Sequence, residues 1–149
     1  MLGEAYSRDL QVLITSLPQT IRLPPSHERF FELSGPSTPY ENNTRRAVRT
    51  NIRARGVLVP EHSLHAVPRN PVPSTIFTKD FSKVGFGFIA DQQYYPGEVV
   101  RAILATFWLR IEITQCRRIG DLCYECGGTL VSQHAPSPDA FSFLSSRNP

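Results

Sequence analysis

"LRIEITQCRRIGDLCYECGGTLV", Leu109 to Val131, sets the fold class. Leu109, Ile111 and Ile113 alternate with Arg110, Glu112 and Thr114, the period of a strand with one face in a core and the other in water. "IGDL", Ile119 to Leu122, then places a Gly-Asp pair between two runs of strand character, the mark of a hairpin. The spacing therefore predicts paired strands over Leu109–Arg118 and Cys123–Val131.

Working towards the N-terminus, four further segments have strand character: Val99–Thr106, Phe86–Ala90, Thr75–Thr78 and Gly56–Val59. "YPGE" marks a turn at Gly97, and "KDFSKVGFGF", Lys79 to Phe88, reads as a strand, a turn and a strand. Six short strands joined by turns, with no helical pattern between them, predict an antiparallel barrel or sandwich. At the start of the chain Leu2, Tyr6, Leu10, Leu13 and Leu17 recur at helical spacing until Pro18 stops them, which predicts a short amphipathic helix. From Pro18 to about Tyr40 proline and glycine break any period, and the stretch reads as an arm docked in part by Phe30, Phe31 and Leu33. Ser137 as an N-cap and Pro138 at a first helical position allow a short closing helix. The expected organisation is helix and arm over 1–43, barrel over 44–131, and a C-terminal extension over 132–149.

With 149 residues the chain has room for one domain with a core and extensions. Its most apolar run, "VVRAILATFWLRIEI", is interrupted by Arg101, Arg110 and Glu112, so no membrane insertion is expected. Glu4 and Asp9 do not fit a signal peptide, and three cysteines fit no disulfide framework; both point to a cytoplasmic protein. The net charge of +3 is unevenly spread, since "RRAVRTNIRAR" carries five arginines without an acid, and an anionic partner suits that stretch.

Catalytic and metal patterns are weak. His62, His65 and His134 are scattered, no nucleophile stands beside a base, and "GFGF" lacks both the lysine and the following helix of a phosphate loop. Cys123 and Cys126 have C-x-x-C spacing, with Cys116 and His134 as completing ligands, but residues three apart on a strand face opposite ways, so no metal site is expected. Arg45 and Arg49 have a more specific use. A guanidinium fork binds guanine edges bidentately, clamps phosphate oxygens or stacks on a purine.

Two motifs in this order resemble the PilZ domain family. "RRAVR" resembles its R-x-x-x-R motif at Arg45 and Arg49, and "DFSKVG" its D-x-S-x-x-G motif at Asp80, Ser82 and Gly85. The resemblance covers about Thr44 to Val131 and extends to "PGEVVRAIL" and the closing hairpin. It implies a six-stranded antiparallel β-barrel without catalytic activity that binds cyclic di-GMP, needs no other cofactor, and passes the signal to a protein effector. Arg45 and Arg49 would engage guanine edges and phosphates, with Arg46 as an added phosphate or stacking group. Asp80 would accept from guanine N–H groups; Ser82 would support the turn or donate to the ligand; Gly85 would let backbone turn or approach. The link carrying "PEHSLHAVPRNPVP" is read as an added loop near that site. The alternative is a PilZ-like protein-interaction module that ignores the nucleotide. Nucleic-acid binding through the arginines is disfavoured, because no aromatic platform accompanies them.

Overall fold

The computed structural model describes residues 2–25, 35–36, 50–51 and 54–145. Helix α1 spans Leu2–Ser16. Two short ladder segments follow, β1 at Gly35–Pro36 and β2 at Thr50–Asn51, and then six longer strands: β3 Arg55–His62, β4 Ser74–Phe81, β5 Gly85–Ala90, β6 Val99–Ile103, β7 Trp108–Gly120 and β8 Cys123–His134. The six pair antiparallel in the order β4-β3-β6-β7-β8-β5, and β5 pairs back onto β4. The sheet is thus a closed six-stranded antiparallel barrel, with no free edge among the six.

Hydrophobic alternation explains the closure. Leu58, Ile76, Phe86, Phe88, Val100, Leu109, Ile111 and Ile113 turn inward and fill the interior. On β7 the expected alternation holds from Leu109 to Ile113, with Glu112 and Thr114 exposed. β5 and β6 are not neighbours, so the connection between them crosses one end of the barrel. Tyr94 plugs that end, fully buried and edge-on to Phe88 with ring centroids 6.0 Å apart. Gly97 sits in this connection with φ 99°, the left-handed conformation its turn requires.

Strand β3 is buried on both faces, which is why "VLV" shows no alternation. Its outer face is covered by α1: Tyr6 and Leu10 pack with Val57, Val59, Ile103 and Trp108, joined by Ala140, Phe141 and Phe143 from the C-terminal end. The Tyr6 hydroxyl lies between the carbonyl oxygens of Leu104 and Phe107, so α1 is fastened to its own barrel at the β6–β7 turn. That turn, closed by Leu104 N–H donating to Phe107 O at 2.9 Å, ends β6 at Ile103, three residues before the expected Thr106.

The arm docks through a residue that periodicity does not single out. Ile21 is buried with Phe77, Ile89 and Cys123, and Arg22 N–H donates to the Leu122 carbonyl at 3.2 Å. Phe30, Phe31 and Leu33 lie outside the described residues. The chain closes with a 3₁₀ turn at Pro138–Phe141 and a short helix α2 at Ser142–Ser145. Pro138 takes its first position as expected, but the Ser137 side chain makes no cap and instead accepts from Trp108 Nε1 at 3.2 Å. Arg101 holds the segment down by donating to the carbonyls of Asp139 and Ala140 at 2.8 and 2.9 Å. Among the described residues no helix is long and apolar enough to cross a membrane.

Candidate functional site

A cleft of about 360 Å³ opens across β4, β5, β8 and β7, lined by residues that include Lys79, Asp80, Gly87, Gln115, Arg117 and Glu125. Its position follows from three local irregularities. On β4 the register shifts between Thr78 and Asp80, so Lys79 is the extra residue of a bulge and Asp80 falls opposite Gly87 of β5. On β7 a second shift lies between Ile113 and Gln115, next to Gly127 and Gly128 of β8. At the β4–β5 connection, Ser82 Oγ accepts from the N–H groups of Val84 and Gly85 at 3.3 and 3.2 Å, while Ser82 N–H donates to Gly85 O at 2.9 Å.

Asp80 is buried to 6% exposure, and its carboxylate crosses the backbone of Gly87, where an added Cβ would lie 2.5 Å from Oδ1. Lys79 Nζ stands 3.8 Å from Asp80 Oδ2 and 3.3 Å from Glu125 Oε1, and Arg117 reaches the same Glu125 oxygen at 3.3 Å. Burial pushes Glu125 upward, but Lys79 and Arg117 outweigh it and hold the carboxyl below its usual range. The wall thus carries two carboxylates, two cations and the Gln115 amide. It matches a ligand that has both N–H donors and anionic oxygens.

The other side of Asp80 pairs with Asn51, and Phe81 pairs with Thr50. Thr50 is the residue that follows Arg49, so the segment after the arginine motif enters the sheet beside Asp80. Arg45, Arg46 and Arg49 themselves lie outside the described residues. Ser82 and Gly85 do not line the cleft; they build the turn that carries Asp80 into β5. Gly85 does not use the left-handed region, and its missing side chain matters because a Cβ would lie 3.1 Å from Gly128 O. Gly87, the second glycine of "GFGF", makes room for the carboxylate.

The link between β3 and β4 is not part of the cleft wall. Arg69 pins it at the Tyr94 end by donating through Nε to Glu98 Oε2 at 2.6 Å and through Nη2 to Oε1 at 3.0 Å, with its guanidinium 4.5 Å from the Tyr94 ring centroid. No residue from 61 to 73 is among the described residues lining the cleft. The link closes the Tyr94 end beside the cleft, where Arg69 pairs with the fully buried Glu98 and the Tyr94 backbone bonds the Cys116 and Cys126 thiols.

Lys79, Gln115, Arg117 and Glu125 were not singled out by motif. Lys79 had a visible signal, being next to Asp80, but the bulge that turns it into the cleft has no sequence mark. Cys116 and Cys126 also line the cleft, with their sulfur atoms 2.8 Å apart. The Cys126 thiol beside it lowers the Cys116 pKa to about 7 against the opposing effect of burial, and Cys126 is pushed up. Cys123 lies on the opposite face beneath Ile21, so the C-x-x-C pair does not converge, and no cluster of three or more potential metal ligands occurs among the described residues. No family model matches the chain, and no characterised protein or solved structure matches it.

Proposed function

We propose that the protein is a non-catalytic receptor for cyclic di-GMP, with the cleft at Asp80 holding one guanine. The observation that carries this reading is the pairing of Asn51 with Asp80, which brings the chain leaving the arginine motif to the rim of a polar cleft. Asp80, acceptor-only when ionised, suits the adjacent N1–H and N2–H donors of guanine. Lys79 and Arg117 suit phosphate oxygens, and Arg45, Arg46 and Arg49 supply the guanidinium forks that hold guanine edges and the second phosphate. The cleft volume is at the low end for small-molecule sites, roughly 300–1,000 Å³, so it fits part of the ligand and leaves the rest to the arginine segment.

Binding changes the conformation of that segment, and a protein effector reads the change; the switch needs only a difference in ligand affinity between two arm states. Calorimetric titration with cyclic di-GMP, using GTP as competitor, tests the reading. Saturable binding lost in Arg49→Ala and Asp80→Asn supports it. A folded protein that gives no heat with the dinucleotide overturns it in favour of a protein-interaction module, for which the exposed Val84 at the β4–β5 turn is a candidate contact.

A further inference from the structure

The three cysteines divide by face and by neighbour. Cys123 is sealed under Ile21, Phe77 and Ile89 on the outside of the barrel, where burial raises its pKa. Cys116 and Cys126 face one another across β7 and β8 as register partners. Strict alternation from Leu109 would turn Cys116 outward; the bulge between Ile113 and Gln115 reverses the parity and turns it to Cys126. Their sulfur atoms are 2.8 Å apart, within about 1 Å of a disulfide bond of ~2.05 Å. Both line the cleft, and Cys116 is partly exposed, so a small oxidant has a path to it.

We propose that Cys116 and Cys126 are a redox pair that closes to an intramolecular disulfide under hydrogen peroxide and reopens with a dithiol reductant. The Cys126 thiol, beside the Cys116 sulfur, favours thiolate at Cys116, the nucleophilic form. Cys116 thiolate attacks one oxygen of the peroxide, the O–O bond breaks, and the departing hydroxide takes a proton to become water. Cys116 is then a sulfenic acid. Cys126 attacks that sulfur as its own proton leaves, the S–O bond breaks, and a second water departs. Two thiols and one peroxide thus give one disulfide and two waters. The dithiol reverses the closure by exchange, becoming a disulfide itself.

The new bond would draw β7 and β8 together between Gln115 and Arg117 on one strand and Glu125 and Gly127 on the other, all cleft residues. Oxidation therefore resets the wall of the ligand site, a consequence that rests on the cyclic di-GMP reading above.

The test is intact mass spectrometry of the full chain after peroxide, unfolding and alkylation. The expected product has lost two hydrogens and takes up alkyl groups only at Cys123; dithiothreitol restores three alkylatable thiols. Cys123→Ser should still form the bond, while Cys116→Ser and Cys126→Ser should not, with circular dichroism showing that each is folded. As an independent readout, phenylarsine oxide should bind wild type and Cys123→Ser at one equivalent and Cys116→Ser at none. Three free thiols after peroxide, a disulfide containing Cys123, or only intermolecular dimers would overturn the pair. Titration of the oxidised and reduced forms with cyclic di-GMP should show at least a threefold difference in affinity. Equal affinity overturns the coupling, and absence of binding in both forms overturns the ligand reading while the mass result still decides the redox pair.

Discussion

The Asp80 carboxylate lies across the backbone of Gly87, close enough that a Cβ there would stand 2.5 Å from Oδ1. Gly87→Ala therefore leaves the strand in place and displaces the acid. The expected result is at least a tenfold loss of cyclic di-GMP affinity by calorimetry. Urea denaturation should show a cost of about 1–3 kcal/mol, as for other overpacked positions. Unchanged affinity would remove Asp80 from the proposed ligand site.

Arg101 joins three parts of the molecule. Its guanidinium pairs with Glu61 at 3.3 Å, donates to the Asp139 and Ala140 carbonyls, and lies 4.9 Å from the Trp108 ring centroid. Arg101→Ala leaves Glu61 with Arg110 at 2.8 Å but strips the Asp139 and Ala140 carbonyls of the guanidinium donor. A loss of about 2–3 kcal/mol is expected in urea denaturation, less than for a buried ion left with no partner. Trp108 is the sole tryptophan, so its emission should move to longer wavelength as Phe141 lifts away.

At the tip of the β7–β8 hairpin Leu122 has φ 51°, left-handed for a branched residue, and its side chain is 45% exposed. Leu122→Gly should relieve a penalty of ~1–2 kcal/mol while adding ~0.5–1 kcal/mol of chain entropy to the unfolded state. The variant should thus be more stable by about 0.5 kcal/mol, read from the midpoint of urea unfolding at unchanged slope. The Arg22 N–H bond to the Leu122 carbonyl involves only backbone and should survive.

Much of the fold was legible because it rests on local patterns. Period two on β7, the Gly-Asp turn and the helical spacing up to Leu17 each depend on residues close in sequence, and each has its element in the structure. Bulges escaped, since an extra residue leaves no mark in composition. Lys79 beside Asp80, and Cys116 turned to Cys126, both depend on one. Long-range electrostatics escaped as well. Arg69 looked like part of a proline-rich link, and only the fold shows that it neutralises the buried Glu98. At the candidate cleft, Asp80 was visible through its motif, and of the two roles open to Ser82 and Gly85 the turn is the one the structure shows.

Glu125 gives the cleft a pH dependence whose sign can be worked out. Lys79 and Arg117 hold its carboxyl below the usual range, against burial. A carboxyl depressed in the folded state contributes stability that is fully present above its unfolded value, near ~4.3, and is lost as pH falls through the folded value. Wild type should therefore lose stability on acidification below about pH 4 more steeply than Glu125→Gln, whose amide cannot titrate. Above pH 6 the variant should be the less stable of the two, because among the described residues Lys79 then keeps Asp80 at 3.8 Å as its acidic partner. Urea denaturation at a series of pH values checks both statements. Parallel curves for the two proteins would mean that the Lys79–Glu125 contact at 3.3 Å makes no pH-dependent contribution to folding.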